Sequence, residues 1–417
     1  MTAVPDVPDP VETARASGLR LLPTVFTSTL LIRFGFGITL SVYAFYLGTS
    51  VGLVGTAAAL APALELSTVL FSGFAADRFG RLPVLRFGLG LGVVVLLLMS
   101  TTRSLILQGA LSGVFGLASG AILASSLAFT GDVSPPDGRG REMGWFDAVN
   151  LAGWVSGFAA GYLLAGFLPA SRLNEAFWVG ALAVLLGLIL VLRTARGYAE
   201  LTAPKFFDRH RIVSALGNPD TLLIILPWTA IYMIIGALFT FLGPAARTLA
   251  IPLWELGLAI LGGGALLFLT QPYYGRLADR WGRDPLMRLG IAGFLGVLTA
   301  ASLLVELGNG RPLVADLCYA GIGLSAIAAL AFGPASLAAL ADLSRRLSRA
   351  TTMALYSMMI SAGMTVGILL ASALFTALGN PGVVAFFVLV GAFLAGITLW
   401  RRARLQTAPA APGTGAG

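Results

Sequence analysis

The chain has 417 residues, of which 57% are hydrophobic and only 11% charged, with a formal charge of +8. A water-soluble domain carries roughly a quarter charged residues, so the composition excludes an ordinary soluble protein. The lone Cys318 excludes an intrachain disulfide and reads as small-residue packing, and the lone His210 argues against a metal centre, which needs several ligands.

A helix needs about 18 or more apolar residues to cross a hydrocarbon layer about 30 Å thick. Backbone groups find no water there, so spanning segments are helices or closed barrels. The hydrophobicity here is continuous rather than alternating, which excludes a barrel. Twelve such segments follow in chain order, near 21–47, 51–75, 83–101, 105–130, 143–168, 175–192, 220–244, 253–275, 285–306, 313–340, 350–378 and 382–400. The expected architecture is an all-α membrane protein with twelve transmembrane helices in two pseudo-symmetric six-helix bundles. Residues 1–20 form an N-terminal tail, 21–192 the first bundle, 193–219 a linker loop, 220–400 the second bundle and 401–417 a disordered tail. Met1–Arg20 is acidic, contains proline and lacks the basic start of a cleavable leader.

Charge placement sets the expected topology. Basic residues cluster at Arg15 and Arg20, Arg78–Arg86, Arg139 and Arg141, Arg193–Arg211, Arg276–Arg288, Arg345–Arg349 and Arg401–Arg404, all on alternate loops and the termini. The opposite loops hold only Arg103, Arg172, Arg247 and Arg311, and Arg33 lies inside the first span. Positive loops stay in the cytoplasm, so both termini are expected there, as an even number of spans requires. The positive charge therefore calls for no nucleic-acid partner.

The sequence also repeats itself at long range. The run Gly73-Phe-Ala-Ala-Asp77-Arg78-Phe-Gly80-Arg81-Leu-Pro83-Val-Leu-Arg86 returns as Gly275-Arg-Leu-Ala-Asp279-Arg280-Trp-Gly282-Arg283-Asp-Pro285-Leu-Met-Arg288. The offset is the same 202 positions from Gly73 to Gly275 and from Arg86 to Arg288. At a second offset of 210, Asp132, Arg139, Met143, Gly153 and Gly157 match Asp342, Arg349, Met353, Gly363 and Gly367. Paired helical halves that rock about a midplane site are a recurrent transporter plan.

The Gly73, Asp77, Arg78, Gly80, Arg81 loop between spans 2 and 3 resembles the signature loop of the major facilitator superfamily, and the resemblance covers about residues 20–400. The resemblance implies the major facilitator fold and a cytoplasmic gate. Gly73 would allow close helix approach, Asp77 would meet the N-terminal end of span 11, and Arg81 would pair with Asp132. Asp279, Arg283 and Asp342 would repeat this in the second half, with Arg78, Arg139, Gly275, Arg280, Gly282 and Arg349 completing the gate. Charges at a helix–water boundary can pair in one conformation and part in another, as a two-state switch requires.

The 131–144 connection and Gly153-x-x-x-Gly157-x-x-x-Gly161 in span 5 resemble bacterial drug and metabolite exporters of the twelve-helix drug:proton antiporter type. Glycines four apart let helices approach closely. The motif's usual proline is here Phe158, its usual final glycine Tyr162, and the arginine often found in span 4 is Ser112.

A charge deep in a spanning helix is costly and is usually functional or paired. Arg33 and Glu65 reach similar depths on antiparallel neighbours, so an Arg33–Glu65 pair is expected near the midplane, extended by Asp147 and Asn150 of span 5. Three readings stay open. In one, Glu65 carries a coupling proton while Arg33 sets its proton affinity. In the second, Arg33 binds an anionic group of the substrate. In the third, the two form a permanent helix-binding pair. Across the cavity Trp228 and Tyr232, four apart and so on one face, are expected to meet substrate with Gln271, Tyr273, Tyr356, Ser357 and Ser361. An apolar pocket with a few placed polar groups suits an amphipathic organic solute.

No Ser/His/Asp set, metal cluster or nucleotide loop is evident, so neither catalysis nor a cofactor is expected. The leading expectation is proton-coupled export of a small organic solute across the cytoplasmic membrane by a monomer. The alternatives are uptake of a sugar, organic anion or other nutrient by symport or uniport, and a lipid-handling or receptor-like protein on the same scaffold.

Overall fold

The computed structural model describes residues 10–134, 139–196, 198, 214, 216–248, 251–308, 310–336, 339 and 349–407. Among them are twelve helices long and apolar enough to cross a membrane. They are α1 (Pro10–Leu47), α2 (Val51–Phe79), α3 (Arg81–Met99), α4 (Leu105–Val133), α5 (Arg139–Phe167) and α6 (Glu175–Thr194). The second six are α7 (Pro219–Thr248), α8 (Leu253–Trp281), α9 (Arg283–Leu307), α10 (Pro312–Ala329), α11 (Arg349–Leu378) and α12 (Asn380–Thr407). With an even number of spans the described ends at Pro10 and Thr407 share one end, called below the terminal face; the other end is the far face.

The spans match the sequence expectation, with three differences. α1 begins at Pro10, inside the stretch expected to be a tail, and α12 continues to Thr407. α2 and α8 run on through the duplicated loop to Phe79 and Trp281 before they stop. The stop is conformational: Gly80 (φ 96°, ψ 155°) and Gly282 (φ 85°, ψ 160°) lie where only glycine sits without strain. The third difference is in the tenth span, expected unbroken over 313–340. α10 is interrupted by a turn at Leu330–Ala331 and resumes over 332–336. Pro334 follows directly, and proline cannot donate to the carbonyl four residues back. The Tyr274 hydroxyl of α8 donates to Ile327 O at 2.7 Å just before the break.

Within each half the packing repeats. α1 lies along α5 and α3 along α4; correspondingly α7 lies along α11 and α9 along α10. A Cβ on Gly157 would sit 2.2 Å from Phe34 O, and one on Gly367 would sit 2.2 Å from Met233 O. Gly37 meets Trp154 O, and Gly236 meets Met364 O. Helices driven this close must carry glycine at the crossing. At the α1–α5 and α7–α11 crossings the sequence duplication is thus also a duplication of contacts, whereas among the described residues the close α2–α4 packing is not repeated between α8 and α10.

Across the two bundles α2 meets α11, and α5 meets α8. These seams close toward the far face. Gly52 faces Thr376, Gly55 faces Ser372, Gly166 faces Trp254 and Gly257 faces Ala159. Gly264 against Val155 marks about the middle of the α5–α8 seam. At the terminal face, Gly144 of α5 and Gly275 of α8 have nothing within 4 Å of a built Cβ. The described bundles thus touch in their far halves and part toward the termini.

Candidate functional site

The centre of the first bundle holds a charged cluster built from four helices. Arg33 of α1 is completely buried, and Glu65 of α2 is only 1% exposed. The guanidinium grips the carboxylate with both forks, NH2 donating to Oε1 at 2.8 Å and NH1 to Oε2 at 3.0 Å. Its Nε donates to Asn150 Oδ1 of α5 at 2.7 Å, and NH1 also donates to Ser119 Oγ of α4 at 3.0 Å. Phe36 and Trp154 lie beside it, with the guanidinium carbon 5.8 and 5.5 Å from their ring centroids. A buried charge survives only when paired and hydrogen-bonded. Both conditions are met here.

The local sequence explains the arrangement. Gly153 lets α5 press onto α1 at Leu30 and Arg33, a built Cβ lying 2.7 Å from Arg33 Cβ. Asn150, one turn earlier, is thereby brought to the Arg33 Nε. On α4, Gly116 and Gly120 bring Ala61 and Glu65 of α2 to backbone contact, which sets Ser119 beside the carboxylate's partner. Ser119 was not picked out from the sequence. Its signal is the spacing of Ser112, Ser119 and Ser126, seven apart and hence on one face of an apolar helix; all three are fully buried. Asp147, expected to extend the cluster, stands one turn toward the terminal face and takes no part in the Arg33 bonds.

Among the described residues the second bundle carries no counterpart of this charge. Gly153 packs on Leu30 and Arg33 as Gly363 packs on Thr229 and Tyr232, so Tyr232 stands where Arg33 stands. The duplicated offsets place Leu267, Ala329 and Ile360 opposite Glu65, Ser119 and Asn150. Trp228 and Tyr232 stack with ring centroids 5.9 Å apart, and Trp228 meets Phe332, beside the α10 break, edge-on at 5.4 Å. Gln271 lies against Gly333, its Nε2 3.3 Å from a built Cβ. Ser357 and Ser361 are buried in α11. Tyr273 is 57% exposed, and its neighbour Tyr274 is the tyrosine that turns inward. The side chain of Tyr356 lies outside the described residues.

At the terminal face Arg81 joins two acids. It pairs with Asp77 one turn before it, and its Nε donates to Asp132 Oδ2 of α4 at 3.1 Å. This is the Arg81–Asp132 pairing expected from the loop. Arg78 projects outward over Phe79. Gly275 faces open space, and Asp279, Arg280 and Gly282 are exposed. Arg283 begins α9 directly after Gly282. The surroundings of Gly73 and the side chains of Arg139, Asp342 and Arg349 lie outside the described residues, as does His210. Among the described residues there is no group of three or more His, Cys, Asp or Glu that could hold a metal ion.

The sequence matches the family model of the Major Facilitator Superfamily over residues 24–269 and 229–416. The chain belongs to the major facilitator superfamily. As a member it is a secondary transporter and a multi-pass membrane protein. It is 26% identical over 283 residues to the class B tetracycline resistance protein of Escherichia coli, covering 63% of this chain and 67% of that protein. Among solved structures it resembles an inward-facing, unoccupied bacterial homologue of the human lysosomal transporter Spinster. That match has a TM-score of 0.70 at 15% identity and covers 95% of this chain and 99% of the other. It also resembles a point mutant of the nucleoside transporter NupG, with a TM-score of 0.63, 14% identity and coverage of 92% and 99%. A POT family transporter bound to 5-aminolevulinic acid matches with a TM-score of 0.70 at 13% identity, covering 92% and 96%. At these identities the structures speak for the fold alone.

Proposed function

We propose that this superfamily member exports a small organic solute in exchange for protons, by alternating access, with Glu65 as the proton carrier. The observation that carries the reading is the bidentate Arg33–Glu65 pair, buried where α1, α2, α4 and α5 meet. A proton on Glu65 removes the carboxylate's charge and leaves Arg33 with Asn150 and Ser119 alone. That is a change in net charge inside a low-dielectric core, where it weighs most. Differential interaction of this kind is what biases a two-state protein. The second bundle, with Trp228, Tyr232 and Gln271, offers aromatic surface to the solute's apolar part, and Ser357 of α11 adds a hydroxyl. The similarity to a tetracycline resistance protein favours export.

The basic loops support a cytoplasmic terminal face. The far-face seams are then the closed external gate, and the Asp77–Arg81–Asp132 set is one half of the cytoplasmic gate. Asp279, Arg283 and Asp342 form the other half. The protein is read as a monomer in the cytoplasmic membrane, needing no cofactor.

The test is solute flux in proteoliposomes with and without an imposed pH gradient, for wild type and Glu65→Gln. Gradient-driven flux in wild type that is lost in the variant supports coupling at Glu65. Equal, gradient-independent flux in both removes it. A second reading, uptake by symport or uniport, draws on Phe158 and Tyr162. In place of the exporter motif's proline and glycine, Phe158 stacks on Trp154 and Tyr162 packs edge-on against Phe45. Accumulation inward along the gradient would favour it.

A further inference from the structure

The duplicated loop supplies each half with an arginine five residues into its third helix, Arg86 in α3 and Arg288 in α9. Their surroundings differ. Arg288 pairs with Asp284 one turn before it. Arg401, near the end of α12, brings NH2 to 2.6 Å from the same carboxylate, close enough for charge pairing but off the hydrogen-bond direction. In the first half the position of Asp284 is Leu82, which is buried. Arg86 donates from NH2 to Ala195 O at the end of α6, at 3.2 Å, while its Nε is buried without a hydrogen-bond partner. Leaving a buried donor of a charged group unsatisfied costs the full desolvation of that group.

Beside it opens a cleft of about 480 Å³ between the α2–α3 turn and the end of α6, lined by Phe79, Leu82, Pro83, Arg86, Arg196 and Tyr198 among others. Among the described residues no carboxylate lines it. Arg86 lies about 7.5 Å along α3 from Arg81, at 1.5 Å per residue, which is headgroup depth at the terminal face. Phe79, which lines the cleft, is about two-thirds exposed, as is Phe87, the residue after Arg86. Aromatic side chains settle at membrane–water interfaces, and basic pockets between spanning helices hold anionic headgroups.

We propose that the Arg86–Arg196 cleft binds an anionic phospholipid headgroup, its phosphate taking the place that the Asp284 carboxylate fills in the second half. The phosphate pairs with the guanidinium edge that Arg86 turns to the cleft and with Arg196, while the acyl chains run out past Leu192. Occupancy ties the end of α6 to Gly80 and Arg81, and so makes the stability of that loop depend on lipid.

The test titrates purified protein in neutral detergent with dioctanoyl phosphatidylglycerol, dioctanoyl phosphatidylcholine or inorganic phosphate, following Tm. A ligand of the folded state raises Tm by mass action. Phosphatidylglycerol is expected to raise Tm where phosphatidylcholine does not. Arg196→Gln, a change at an exposed residue, is expected to raise the half-maximal concentration about fivefold or more, and Arg86→Gln to abolish the response. Arg311→Gln, an exposed arginine of the far face, should respond as wild type. Equal shifts from the two lipids, or an unaltered response in Arg196→Gln, would overturn the proposal. An equal shift from inorganic phosphate at the same concentration would overturn the lipid assignment and leave a free-anion site. If Arg86→Gln does not fold, Arg196→Gln decides alone.

Discussion

Arg33 and Tyr232 occupy equivalent places in the two bundles, the first under Gly153 and the second under Gly363. The same place in the two halves thus holds a fully buried guanidinium in one and a stacked phenol in the other. The contacts that hold the helices were kept, since Gly37 and Gly236 still face Trp154 and Met364 through the same atoms. The buried ion pair thus lies in the first bundle and the stacked Trp228–Tyr232 pair in the second.

The Arg33–Glu65 pair should be strongly coupled energetically. Removing one partner strands a buried charge and costs about 3–5 kcal/mol, whereas replacing both by apolar residues is often nearly neutral. Glu65→Ala and Arg33→Ala should each lower Tm markedly in detergent. Arg33→Met combined with Glu65→Leu should recover most of the loss while remaining transport-dead. A double variant as unstable as the two losses added together would show that the pair is not the unit of stability.

Gly157 offers a test of the helix crossing. A methyl group there meets Phe34 O at 2.2 Å, a backbone atom that cannot swing away. Overpacking of this kind typically costs about 1–3 kcal/mol. Gly157→Ala is therefore expected to reduce Tm and flux together. Gly144→Ala, which meets nothing within 4 Å, should stay within about 0.5 kcal/mol of wild type. Thermal unfolding of both variants side by side checks the contrast.

The helix count, the duplication and the Arg33–Glu65 pairing were legible in the sequence because each leaves a periodic or chemical signature. An apolar run of spanning length can be little else, and two opposite charges at one depth on neighbouring helices must meet or pay for burial alone. Ser119 was not legible, since a serine in an apolar helix usually bonds its own backbone four residues back, as Ser125 does to Ala121 O. The break in α10 at Leu330–Ala331 left only Pro334 as a sign, and other spans contain proline without breaking, as α2 does at Pro62. Asp147 shares a face of α5 with Asn150 but stands one turn nearer the terminal face, and the Arg33 guanidinium is already bonded to Glu65, Asn150 and Ser119.

Gly80 and Gly282 should be intolerant of any side chain. Both have φ near +90° with ψ near 155–160°, a region essentially reserved for glycine, where other residues are strained by about 1–3 kcal/mol. Gly80→Ala and Gly282→Ala are expected to lower Tm by comparable amounts, since the two turns are copies. The double variant should lose the sum, because widely separated sites act additively. Tm values for the three proteins measure this.

The far-face seam supplies the most direct test of movement between the bundles. A Cβ built on Gly52 of α2 would lie 3.3 Å from Thr376 Cβ of α11, just short of the 3.5–4.5 Å span typical of disulfides. In a background with Cys318→Ala, which removes a buried thiol, Gly52→Cys with Thr376→Cys should oxidise readily and fasten α2 to α11. If transport requires this seam to open, oxidation should abolish flux in proteoliposomes, and a reductant should restore it. Each single cysteine variant should be indifferent to oxidant. A fully cross-linked protein that still transports would mean that solute does not pass by separation of α2 from α11, and the far-face contacts would then be a fixed part of the fold.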